Sequence, residues 1–161
     1  MRSRLKTWMR IALPVLLVGA LAVACGDDDE PTGVTIGDLA GTWDASDLSL
    51  TWNANPAVVI NLVDIGATVT LVINSNSTYS FTIAVPGQDD QVITGDFTLL
   101  GGNRFELTND DEPEDLWTGT FTLSADGNEL SVNLPDVTIF DFDSDGTEDE
   151  ALLEGDFDRV S

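Results

Sequence analysis

The sequence predicts an all-β domain, an antiparallel up-and-down meander of about eight to ten strands. Three observations predict it. From Leu39 onward apolar residues recur at every second position, short turns of Asn, Gly and Asp interrupt the runs, and no stretch carries a helical stripe of three- and four-residue spacing. About 125 residues holding that many strands fit either a closed barrel or a two-sheet sandwich, and alternation alone leaves both open.

The chain opens with Arg2, Arg4, Lys6 and Arg10 and no acidic residue, followed by an almost wholly apolar run from Ile11 to Ala24. This is the three-part layout of a secretory signal, and the run falls short of the roughly 20 apolar residues a membrane span needs. Residues 1–24 are therefore expected to be removed. Residues 25–36 form an acidic tether and residues 37–161 the β domain.

Removal of 24 of the 161 residues leaves 137, about one ordinary domain. It also takes away four of the six basic residues, so Arg104 and Arg159 stand against 29 acidic residues and the net charge is −27. Nucleic acid is excluded as a partner, because phosphate backbones bind by releasing counterions to Lys and Arg. The same charge repels an anionic membrane surface and attracts cations. Histidine is absent, which removes the usual general base near neutral pH and every Ser–His or Cys–His mechanism. No pair among 29 carboxylates is singled out by spacing for glycoside hydrolysis, so no enzyme activity is expected.

Leu21-Ala22-Val23-Ala24-Cys25 places small residues directly before the one cysteine. The stretch resembles the lipobox of bacterial lipoproteins, with Leu21 one position further from the cysteine than the usual pattern has it. The resemblance implies a diacylglyceryl lipid on Cys25, cleavage just before it, and a membrane partner reached through the lipid. It also implies the cell envelope, and the outer membrane in particular, because Gly26 stands where an inner-membrane retention signal has Asp. The acidic run Asp27 to Glu30 resembles a surface-export signal of Bacteroidetes-type lipoproteins, and reads equally as a solvated spacer.

The strands follow in order. Val69, Leu71 and Ile73 share one face, then Tyr79, Phe81, Ile83 and Val85, then Ile93, Phe97 and Leu99, then Phe105 and Leu107. Trp117, Phe121 and Leu123 continue the pattern, with Leu130, Val132 and Leu134 and finally Leu153 and Phe157. Threonine dominates the opposite faces, as β propensity and exposure select together. Asn74-Ser75-Asn76, Gly101-Gly102-Asn103 and Asp126-Gly127-Asn128 are tight turns that join neighbouring strands. Gly95-Asp96-Phe97-Thr98-Leu99 and Gly119-Thr120-Phe121-Thr122-Leu123 echo each other as repeated hairpin grammar.

Gly41-Thr42-Trp43 opens the first long strand, and Arg159 lies in the last in phase with Leu153 and Phe157. These residues resemble the Gly-x-Trp signature of lipocalins, in which a Trp plugs the closed end of an eight-stranded barrel beneath a terminal Arg. The resemblance implies barrel closure by Gly41, Trp43 and Arg159 and a small apolar or amphipathic ligand in the lumen. An eight-stranded barrel is also just wide enough to be filled by its own side chains, so an interior cavity of several hundred Å³ separates a binder from a solid core.

Asp141, Asp143 and Asp145 alternate before Gly146, with Asp149 following, in a pattern that resembles the Asp-x-Asp-x-Asp-Gly calcium loop. Leu152 stands where an EF-hand requires a bidentate Glu and both flanks read as strands, so the expectation is a Ca²⁺ site within a hairpin. A second acidic run, Asn109 to Asp115, lacks the spacing and reads as a solvated loop that can meet a basic partner. Two functions from different classes follow: an envelope lipocalin-like binder of an apolar ligand, or a non-catalytic envelope module acting through its acidic outer surface, with calcium-assisted adhesion or protein contact.

Overall fold

A computed structural model describes residues 33 to 160; Cys25 and the signal and most of the tether lie outside them. After a four-residue helix α1 (Ile36–Leu39) come nine strands: β1 (Gly41–Trp52), β2 (Val59–Asn61), β3 (Thr68–Ile73), β4 (Thr78–Ala84), β5 (Gln91–Gly101), β6 (Arg104–Thr108), β7 (Leu116–Leu123), β8 (Glu129–Phe140) and β9 (Asp149–Arg159). All pairings are antiparallel in the order β2-β1-β3-β4-β5-β6-β7-β8-β9. The additional pairing of β1 with β9, from Trp43 opposite Arg159 to Trp52 opposite Ala151, closes eight strands into a barrel. The sandwich alternative is thereby excluded, since closure leaves neither β1 nor β9 as a free edge.

β2 stands outside the circuit. It pairs only with the far half of β1, whose near half pairs with β3. The alternating residues point as their pattern requires: Val69, Leu71 and Ile73, then Tyr79, Phe81 and Ile83, are buried, with intermediate exposure at the positions between them. The echo of Gly95 and Gly119 has a steric cause. A Cβ on Gly95 would lie 1.9 Å from the Thr108 carbonyl oxygen, and one on Gly119 would lie 2.5 Å from that of Asn133. Opposite Gly119 the Phe105 ring uses the freed space, its Cζ 2.9 Å from where the Cβ would stand.

The helix α1 is too short to show a helical period and was not expected. The Thr35 backbone N–H and hydroxyl both donate to the Asp38 carboxylate, at 2.8 and 2.7 Å, which fixes the first turn. Leu39 is fully buried, and Val34 and Ile36 pack against the core. No helix among the described residues is long and apolar enough to cross a membrane.

Candidate functional sites at the two poles

Antiparallel pairing gives the barrel two unlike ends. One holds the starts of β1, β4, β6 and β8 and the ends of β3, β5, β7 and β9; the other holds the opposite ends of the same strands. The first is closed by α1 and Trp43, whose indole Nε1 donates to the Leu39 carbonyl at 2.8 Å and whose ring is fully buried.

Arg159 lies across that ring with its guanidinium carbon 4.2 Å from the centroid. Its Nε donates to the Gly127 carbonyl at 2.7 Å, Nη1 to Ala40 at 2.9 Å and Nη2 to Asp38. The planar fork therefore ties α1, the start of β1 and the turn before β8 to the last strand, which an ammonium could not do in one plane. Gly41 belongs to the same arrangement, because a Cβ there would stand 2.9 Å from Nη1. Hydrogen bonds from the Thr35 hydroxyl, then its N–H, hold the Asp38 carboxyl below the usual range, and the Arg159 charge acts in the same direction.

Between the poles lies the lumen. Its walls include Phe81, Phe97, Phe105, Trp117, Phe121 and Phe157, and the open space among them is about 40 Å³. Phe97 stacks on Phe105 at 5.1 Å, and Phe105 meets Phe121 at 6.2 Å. The Tyr79 hydroxyl, also in the wall, donates to the Thr108 carbonyl at 2.9 Å. Burial, with the Asp110 charge, pushes its pKa upward. A drug-sized ligand needs roughly 300 Å³ or more, so the ring side chains fill the place it would take.

The other pole is ringed by the loops after β1, β4, β6 and β8. It brings together two acidic segments that are 26 residues or more apart in the sequence: Glu148 has its pKa raised by burial and then by the charge of Glu112. Glu112 itself is raised by its hydrogen bond with Asp115, then by the charges of Asp115 and Asp111. Asp111, Glu112 and Glu148 rim a cleft of about 220 Å³ floored by Ile93, Trp117 and Ile139, which also line the lumen. This cleft is the mouth of the barrel.

Asp141 and Asp143 in the loop after β8 and Asp149 at the start of β9 bring one carboxylate oxygen each within 4.8 Å of one another. Such a spacing suits a cation that binds oxygen at about 2.3–2.6 Å. The Asp141 carboxylate accepts from the N–H groups of Ser144, Asp145 and Gly146, and Asp149 from that of Phe142. Asp145 is not in the group; it accepts from the Thr147 N–H at 2.8 Å. Phe142 meanwhile stacks on Trp52 with centroids 5.8 Å apart and planes 2° from parallel, and its edge meets Phe140 at 4.9 Å. Sequence reasoning passed over Trp52, although it continues the inward phase of Leu48 and Leu50 to the rim.

No protein-family model matches the chain, and no curated protein matches it. Among solved structures it is similar to one described as a "De novo design of a fluorescence-activating beta barrel", at 13% identity and a TM-score of 0.45, covering 79% of this chain and 100% of that one.

Proposed function

We propose that this protein is a non-catalytic, lipid-anchored module of the cell envelope, held through Cys25 and acting through its acidic outer surface. The observation that carries this reading is the filled lumen. About 40 Å³ is open where a ligand would need several hundred, while the mouth pole presents Asp111, Glu112, Glu148, Asp149 and Glu150 to solvent with no arginine at that end among the described residues. A surface of this charge suits basic protein segments, and the Asp141, Asp143 and Asp149 group is the part of it suited to Ca²⁺.

A second reading, an apolar ligand held inside, is favoured by the largely apolar wall of the lumen and by the cleft at the mouth pole, which shares Ile93, Trp117 and Ile139 with it. It requires phenyl side chains to rotate outward, at a cost the ligand must offset. Native mass spectrometry of protein extracted from its own cells separates the two. A bound lipid-sized mass on the barrel overturns the surface reading; the bare mass of the acylated chain supports it. Cys25→Ser tests the anchor: the variant is expected to leave the detergent phase, and its retention there would sink the assignment.

A further inference from the structure

We infer that the cleft beside Trp52 is a docking site for an arginine side chain of a basic partner protein. The inference rests on the outer-surface reading and gives that surface a specific site.

The cleft, about 460 Å³, lies between Trp52, Asn53 and Ala54 on one side and Glu148, Asp149 and Glu150 on the other. Its aromatic wall is braced. Trp52 is half-buried, stacked on Phe142, which Phe140 supports from the side. The floor is tied by backbone, since the Asn53 N–H donates to the Glu150 carbonyl at 3.0 Å. A rigid indole next to carboxylates is the environment in which a guanidinium gains most, because it can stack on the ring while its N–H fork reaches an oxygen pair.

The chain itself stacks a guanidinium on an indole at its other pole, where Arg159 covers Trp43 at 4.2 Å and its fork reaches backbone carbonyls in place of carboxylates. At the mouth pole no such cation exists among the described residues. Arg104, at the start of β6, and Arg159, at the end of β9, both sit at the closed pole, so the Trp52 indole and its carboxylates face solvent without a counterion from the described residues.

The charge of the lining narrows the occupant further. The Asn53 amide donates to the Asp136 carboxylate at 2.8 Å, and the Asp149 carboxylate accepts from the Phe142 N–H. Glu148 and Glu150 accept no side-chain hydrogen bond among the described residues, so what the cleft offers is chiefly negative charge and a π face, with the indole N–H and the second Asn53 amide N–H as side-chain donors. A neutral sugar gains nothing from the net charge, a calcium ion has no use for the indole, and an anion is repelled. Arginine uses both features, and lysine, a strongly hydrated point charge, uses the ring less well.

The test uses the mature acylated chain in detergent, titrated with a fluorescently labelled arginine decamer, a lysine decamer and a neutral maltooligosaccharide at constant ionic strength. The arginine decamer is expected to bind at least threefold tighter than the lysine decamer, and the sugar not at all. Glu148→Gln with Glu150→Gln, both at exposed positions, is expected to weaken arginine binding at least tenfold, as is Trp52→Leu. Asp111→Asn with Glu112→Gln, which removes the same charge from the neighbouring rim, is expected to weaken it at most threefold. Equal loss from both double variants, or no preference for arginine, would leave a general acidic surface and remove the site while the outer-surface reading stands. Sugar binding, or no peptide binding at all, also removes it. A lumenal lipid in native mass spectra would instead overturn the reading beneath it.

Discussion

Arg159→Met keeps much of the apolar stem and removes the guanidinium. Three carbonyls, of Asp38, Ala40 and Gly127, lose charged donors, and the Trp43 ring loses the cation 4.2 Å from its centroid. A hydrogen bond to a charged group is worth about 1.5–3 kcal/mol when buried, and a cation–π contact about 0.5–1 kcal/mol where solvent reaches it. The bond to Asp38 is exposed and the other two are part-buried, so water replaces the guanidinium most readily at Asp38 and the expected net loss is about 2–4 kcal/mol. With a urea m-value of about 1.5 kcal/mol/M the unfolding midpoint should fall by roughly 1.3–2.7 M at unchanged slope. Arg159→Lys should recover less than half of this. Gly41→Ala puts a Cβ 2.9 Å from Nη1 at a φ of +153° that L side chains rarely adopt; it should be costly in the native background and keep its backbone strain beside Arg159→Met, where only the contact is relieved, a non-additivity of about 1 kcal/mol. A midpoint shift below about 0.3 M, or full rescue by lysine, would refute this account of how the closed pole is held.

Stability should also depend on pH in two opposed windows. Glu112 and Glu148 have folded pKa values raised above the ordinary glutamate value, so the native state takes up protons first and stability rises as pH falls from neutral toward about 4.5; Asp38 and Asp126 are depressed, so their stabilisation is lost as pH falls further through their folded values. The melting temperature should therefore peak in mild acid, and Glu112→Gln with Glu148→Gln should flatten the rise; a monotonic fall from pH 7 downward would contradict it. Gly119→Ala drives a methyl group to 2.5 Å from the Asn133 carbonyl oxygen and should cost about 2–3 kcal/mol by urea unfolding, whereas an effect below about 0.5 kcal/mol would mean that the strands part freely. Calcium at tenfold excess over a dissociation constant of about 10⁻⁴ to 10⁻³ M should add about 1.4 kcal/mol. Equal melting temperatures in calcium, magnesium and chelator, or a shift that survives Asp141→Asn with Asp143→Asn, would reduce the effect to screening.

The strands were legible because each needs only its own alternation: Tyr79, Phe81 and Ile83 announce a buried face without knowledge of any partner. Alternation could not choose between barrel and sandwich, since it specifies faces, not neighbours; the resemblance carried by Gly41, Trp43 and Arg159 favoured the barrel, and β1 meeting β9 across about 110 residues closes it. Arg159 could be placed in phase with Phe157, but its three carbonyl partners come from backbone whose course a side-chain pattern does not describe. In the acidic loop the alternate carboxylates were visible. Which of them converge depends on backbone N–H groups, and these turn Asp145 toward Thr147 instead. Trp52 was hidden by position: at the end of a strand, the inward phase no longer means core.

Eight is an even number, and the consequence reaches both ends of the chain. An antiparallel circuit with even strand count must return the polypeptide to the side from which it set out, so residue 33 and residue 160 leave the same face, beside Trp43 and Arg159. Had β2 been threaded into the circuit as a ninth stave, the termini would have parted to opposite faces. As built, whatever continues from either described terminus sets out from the plugged side. The rim bearing Trp52 and the carboxylates lies at the opposite pole from both described termini.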